Sequence, residues 1–234
     1  MAFTVKELLD YCLDQSQLDK NLTEHYQLAQ KIYNLVLDGQ TNNFPFPFYS
    51  KISENIAFTS SQSSYDLPDD YLKSDNCYRV LMSNGSRGSP ILIVSPWEFD
   101  RLSSGTNDAE PSVAWIDQNQ SKITFNSNMS NPGDKGFVIR YFRKPTFITV
   151  GSNVDDDLTP DFPDQKTLCE LIIVELMKYM NDDRYQMQMQ VADKEMRDTK
   201  MGSYDYDDNS QMSLGKSFRA GRRPTRGGGY GNSF

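Results

Sequence analysis

Arg219, Arg222, Arg223 and Arg226, preceded by Lys216, stand among Phe218, Tyr230, Phe234 and a run of glycines, and residues 215–234 contain no acid. Guanidinium groups fork onto carboxylates and phosphates, and aromatic rings between them can stack on bases or fill apolar grooves. The chemistry on offer is capture of an anionic partner, with no bond made or broken. All 32 Asp and Glu lie before residue 215, against 19 of the 24 Lys and Arg, so the net charge of −8 divides into an acidic body and a cationic arm. With Gly221, Pro224 and Gly227, Gly228 and Gly229 among its charges, the arm cannot bury enough apolar surface to fold alone, and it is expected to order only on a partner. Three uses are open: insertion into an acidic or aromatic groove of a protein, binding of single-stranded nucleic acid, or an inert solubilising end. The protein groove comes first, because five cations release few counterions and an acidic body repels a phosphate backbone.

Catalysis has little to work with elsewhere. His25 is the single histidine and sits inside a helical pattern beside Tyr26, so neither a histidine relay nor a two-histidine metal site can be assembled within one chain. No phosphate-binding or nucleophile-elbow motif occurs, and Gly227, Gly228 and Gly229 lack the preceding strand that a phosphate cradle needs. Asp155, Asp156 and Asp157, and likewise Asp66, Asp69 and Asp70, could attract a hard cation, but they lack the alternate spacing and distal Glu of a calcium loop. They read as solvated loop charge, and a metal-dependent hydrolase built on them is the weakest reading. Around Pro68, Tyr65, Leu67 and Tyr71 are placed to pin a turn to a core. Cys12, Cys77 and Cys169 share no metal or redox spacing and read as buried, reduced thiols. The expectation is a non-enzyme with no cofactor, no metal, no signal peptide and no membrane span.

The elements that would carry the arm are set by periodicity. Thr4 and Glu7 have capping-box spacing, with Phe3 set to staple onto Leu8; Val5, Leu8, Leu9, Cys12 and Leu13 then share one helical face. A second helix opens after Asn21, with Leu22, Tyr26, Ala29, Tyr33 and Val36 at helical spacing, and ends near Gly39. From 44 to 150 short runs punctuated by Pro, Gly, Ser and Asn suggest antiparallel strands, best at 80–82, 91–94, 112–116, 122–125 and 136–142, with a hairpin across 115–125. The segment 158–164 leads into a third helix carrying Leu168, Leu171, Ile172, Glu175, Leu176 and Tyr179, and 184–201 is helical in composition, with Met187, Met189, Met196 and Met201 as adaptable packing on a neighbouring helix or subunit. The economical fold is α+β: a helical bundle from N- and C-terminal helices, an inserted antiparallel β-sandwich or barrel, and a flexible basic tail. The boundaries are 1–43 for the helical hairpin, 44–150 for the β-domain, 151–202 for the helices completing the core and 203–234 for the docking tail.

This order of parts resembles the head-to-tail adaptors of short-tailed phages, tail tubular protein A and related ring proteins being the nearest comparison. The likeness rests on the two N-terminal helices, the Tyr-Asp-Leu-Pro-Asp-Asp-Tyr turn at 65–71, the strand ending Val138-Ile139-Arg140-Tyr141-Phe142-Arg143-Lys144-Pro145, the helix ending Leu176-Met177-Lys178-Tyr179-Met180-Asn181-Asp182-Asp183, and the basic C-terminus. It covers nearly the whole chain. The resemblance implies a virion protein of the neck, made in the host cytoplasm, that forms a dodecameric ring under the portal protein and offers a platform to tail or nozzle proteins. Genomic DNA would pass through its channel without specific binding. Lys216, Phe218, Arg219, Arg222, Arg223, Arg226, Tyr230 and Phe234 would then bind the portal. Rings would close through heterologous contacts between helical cores, while the β-domains present the next tail component. The alternative is a nucleic-acid-binding accessory protein that uses its Arg-Gly tail.

Overall fold

The computed structural model describes residues 3–103, 109–151, 154 and 157–219, with side chains as far as residue 202. Helix α1, Val5–Gln15, opens on the expected capping box. Thr4 Oγ1 accepts from the Glu7 N–H at 3.3 Å and Glu7 Oε2 accepts from the Thr4 N–H at 2.9 Å. Val5, Leu8, Leu9, Cys12 and Leu13 are all buried, as their spacing requires. Phe3 is exposed and stacks on Tyr11, with ring centroids 6.2 Å apart.

Helix α2, Thr23–Asn43, begins after Leu22, which is exposed and offers no side-chain cap. It runs through Gly39, where a Cβ would meet nothing within 4 Å, so the glycine neither relieves a clash nor ends the helix. Two C-terminal helices return to the N-terminal pair. The first of them, Gln165–Tyr179, packs against α1, α2 and the second, Tyr185–Arg219. Together with Phe46, Tyr49, Ile148 and Phe162 these helices share one apolar cluster. Tyr179 falls outside it and is exposed, while Thr167, Cys169, Ile173 and Met177 are buried, so the inward face of the Gln165–Tyr179 helix is wider than the stripe legible in the sequence. Of the methionines at 187, 189, 196 and 201 only Met196 is buried.

Between the two helical pairs the chain builds strands β1 (Ser50–Ile52), β2 (Ile56–Ala57), β3 (Ser64–Asp66), β4 (Tyr71–Leu81), β5 (Arg87–Ile93), β6 (Val113–Asp117), β7 (Lys122–Phe125) and β8 (Lys135–Arg143). The sequence suggests an antiparallel sandwich or barrel, but the strands form one curled, mixed sheet in the order β1-β8-β4-β5-β6-β7-β3, with β2 also on β8. The departure lies at β5 and β6, which run parallel because the connection between them contains a further helix, α3, Pro96–Leu102, that no periodicity announces. The helices Gln165–Tyr179 and Tyr185–Arg219 are therefore α4 and α5. The 115–125 hairpin forms as read, with Asp117 opposite Lys122 and the Asp117 carboxylate accepting from the Asn119 N–H at 3.0 Å. The curl encloses a second apolar cluster in which Phe58, Tyr65, Phe125 and Phe137 meet edge to face or tilted. Tyr65, Leu67 and Tyr71 are buried around Pro68, as the turn reading expects. Asp70 of that turn does a different job: it reaches Lys51 and the Tyr141 hydroxyl, at 2.6 Å each.

Candidate functional site

The cationic arm is rooted on α5. Beyond Tyr179 the chain unwinds through Asn181, which takes φ of 53°, and Asp182 restarts it by accepting from the Arg184 N–H at 2.9 Å and from its guanidinium at 2.6 Å. The Arg184 bonds hold the Asp182 carboxyl at about 2. From there α5 lies antiparallel to α4, with Ala192 and Met196 buried between them. Three polar ties run along the pair: Gln188 donates to Glu170, Lys166 pairs with Glu195 at 2.7 Å, and the Thr199 hydroxyl donates to Asp164 Oδ2 at 2.5 Å. Asp164 also caps α4, accepting from the Thr167 N–H and hydroxyl at 3.3 and 2.7 Å. Burial alone would raise its carboxyl, but the donors from Thr199 and Thr167 outweigh it and hold the group below its ordinary range. Lys200 then lies over the Phe44 ring at 5.4 Å. Asp164 thus fixes both the start of α4 and the point where α5 passes it.

The second feature is the joint through which the chain leaves the helices and returns. Asp161 receives both Arg143 nitrogens, at 2.8 and 2.6 Å, and the Thr146 N–H at 2.6 Å. Its carbonyl accepts from the Tyr49 hydroxyl, its N–H donates to the Tyr33 hydroxyl at 3.4 Å, and the Arg143 guanidinium covers the Tyr49 ring at 5.1 Å. Burial pushes the Tyr33 phenol up to about 12 and raises that of Tyr49 as well. Beside this clasp Asn34 of α2 exchanges two bonds with the Ile148 backbone, at 2.8 and 3.0 Å, and Gln30 accepts from the Gly151 N–H at 2.8 Å. The sheet is therefore fastened to the helices by polar contacts at its entry and exit. Sequence reasoning misses Asp161, Arg143 and Asn34, because their partners lie at long sequence separation or are backbone atoms.

The residues expected to bind a partner fall at and beyond the end of α5. Lys216, Phe218 and Arg219 lie on helical backbone, since α5 continues to Arg219 where the sequence suggests an unfolded tail from 203. Residues 203–214 contain no proline and no glycine to break the helix, although nine of the twelve are Ser, Tyr, Asp or Asn, which are weak helix formers. Arg222, Arg223, Arg226, Tyr230 and Phe234 lie outside the described residues, as do Asp155 and Asp156. His25 sits half-buried with Nδ1 3.2 Å from the Asp19 carbonyl, a structural contact. Cys12, Cys77 and Cys169 are free and buried, and burial pushes the Cys77 thiol up to about 12. Among the described residues no group of three or more His, Cys, Asp or Glu is arranged to hold a metal ion, and no helix is long and apolar enough to cross a membrane.

The sequence matches the model of the SU10 adaptor proteins over residues 4–222. The chain belongs to the SU10 adaptor protein family. It is a phage head-to-tail adaptor, a structural component of the virion, and the likeness carried by its helices, its 65–71 turn and its last strand is thereby accounted for. No curated protein matches the sequence. The family match takes in both helical segments, the inserted sheet and the root of the arm at Lys216, Phe218, Arg219 and Arg222. As an adaptor of this family the chain has a role in joining portal and tail proteins.

Proposed function

We propose that this SU10-family adaptor forms a ring, a dodecamer, beneath the portal, lines the DNA channel and gives the tail its attachment platform. The arm grips the portal: Lys216, Arg219, Arg222, Arg223 and Arg226 meet portal carboxylates while Phe218, Tyr230 or Phe234 fills an apolar groove. The observation that carries this reading is the family match through residue 222, which includes the root of that arm as well as the folded body. The anchoring of α5 on Asp164 and Lys166 through its Thr199 and Glu195, with Ala192 buried, supports it physically. A helix fixed over its first half presents the residues beyond that half at a defined place and lowers the ordering cost on docking. An acidic body suits a channel through which DNA must slide, since like charge discourages tight phosphate contact. Many arms around one ring raise the effective concentration of each contact, so that individually weak ion pairs make a stable joint.

Electron microscopy of portal-bearing particles mixed with the full chain or with a chain ending at Leu214 tests the reading. Ring density at the portal vertex with the full chain alone is the expected result. Density with the truncated chain would remove the arm from the portal contact, and none with either chain would discard the adaptor ring. Salt-sensitive capture of single-stranded oligonucleotides that needs the arm would then favour the nucleic-acid alternative.

A further inference from the structure

The β-region carries a knob and a hole that cannot meet within one chain. The knob is α3, none of whose side chains is buried. Trp97 is 73% exposed, with the Arg101 guanidinium 5.4 Å from its ring centre, while Phe99 anchors the helix by packing its ring 6.2 Å from that of Trp115. Glu98 and Asp100 fall within one helical turn of Trp97, giving α3 two acids against one cation, with Glu98 3.9 Å from the Arg101 guanidinium. The hole is a cleft of about 270 Å³ lined by Arg79, Arg87 and Lys135 around Phe58, Val80 and Met129. Among the described residues the one acid of its lining, Glu110, pairs with Arg79 at 2.9 Å and with Lys135 at 2.6 Å, so three cations face one carboxylate there. Gly136 lies in the lining with no side chain, and a Cβ there would sit 2.5 Å from the Ile56 carbonyl oxygen and 2.5 Å from Met82 Sδ, so the glycine is what lets β2 and Met82 pack this close to β8.

Size and charge both match. An apolar cavity of about 150 Å³ suffices for benzene, so this cleft has room for an indole. Acids flank the tryptophan and cations rim the cleft, and Trp and Arg are the side chains that anchor protein interfaces most often. The cleft sits at the Arg87 end of β5 and α3 comes after its Ile93 end, about 20 Å away at a strand's rise per residue, so a chain's own Trp97 does not reach its own cleft. Two different patches that complement each other are the requirement for a head-to-tail contact that closes into a ring.

We infer that the partner of the cleft is a second copy of this chain: Trp97 of one protomer seats in the cleft bounded by Arg79, Arg87 and Lys135 of the next, with Glu98 and Asp100 against its cations. This rests on the ring proposed above and names the β-region as one of its seams. The sheet then faces a neighbour as well as the tail.

Cross-linking separates this seam from the ring itself. A chain with Ser89→Cys in the cleft and Leu102→Cys at the exposed end of α3 keeps Trp97, Glu98 and Asp100, and Cys12, Cys77 and Cys169 are buried. Assembled on portal-bearing particles and treated with a short bismaleimide, it should give a ladder of covalent multimers that needs both new cysteines. Rings visible by microscopy without a ladder would overturn the seam and leave the ring standing; absence of any ring would remove both. In a second test Arg87→Glu and Asp100→Lys should each lower the ring-bearing fraction about tenfold at limiting protein, and the double variant should restore it. Single reversals without effect, or a double variant no better than either, would sink the proposal.

Discussion

Asp161 ties together four separate stretches of chain, around Tyr33, Tyr49, Arg143 to Thr146 and its own turn, so its loss should be felt well beyond that turn. Its carboxylate is largely enclosed and takes two bonds from Arg143 and one from the Thr146 backbone. Asp161→Asn preserves the shape but removes the charge, leaving a half-buried guanidinium against a weaker acceptor. The expected cost is about 2 kcal/mol, read as a lower urea midpoint with unchanged slope; a loss below about 0.5 kcal/mol would show that Tyr33 and Tyr49 hold the joint without it. Gly136→Ala should cost about 1–3 kcal/mol for a different reason, because the new methyl meets backbone at Ile56 and cannot be relieved by a rotamer change alone. Comparison of thermal midpoints with Gly39→Ala, where the space is open, isolates that clash. Neither residue is conspicuous in the sequence. Asp161 lies in a proline-rich lead to a helix and Gly136 at the start of a strand, and each matters because of a neighbour brought up by the fold. Thr4 and Glu7 are legible because both halves of their contact lie within one helical turn.

Among the elements, the α4–α5 joint has a pH signature. Asp164 is held below its ordinary 3.8 by donors from Thr199 and Thr167, against the opposing effect of burial. A carboxyl whose folded value is depressed contributes stability that is complete above its unfolded value and is lost as pH falls through the folded one. Thr199→Ala removes one donor, so it should destabilise by about 1 kcal/mol at neutral pH, and the difference should shrink below about pH 4. Glu170 runs the other way: burial raises it, so its charge costs stability at neutral pH and the cost is relieved on acidification, but this is common to both proteins and cancels in the comparison. Urea titrations at several pH values check the prediction, and a difference that persists unchanged at low pH would assign the loss to packing. The amphipathic patterns that reveal α1 and α4 depend on one buried face and survive in sequence. Helix α3 and the parallel β5–β6 pair escape that logic, since α3 buries no face and the direction of a strand leaves no mark on its own alternation. Strands β1, β2 and β3, of three, two and three residues, are too short for a period to register.

For the whole molecule, the charge division stands out from composition alone, while its consequence depends on how many copies act together. Were each copy to dock independently through its own arm, a mixture of full-length and truncated chains would load the portal with full-length copies only. In a ring with lateral seams the truncated copies are held by their neighbours, and a fraction of the arms is enough to retain the whole assembly, because each remaining contact acts at high effective concentration. Chains ending at Leu214 and carrying a fluorophore should therefore be absent from portal-bearing particles when added alone and be retained when mixed with full-length chain. Retention should hold until the truncated form is in large excess and then fall steeply. Raised salt should move that fall toward smaller excess, because the arm's ion pairs are screened. A retained signal that stays at zero in every mixture would mean that the copies do not hold one another, and that the adaptor joins portal and tail one arm at a time.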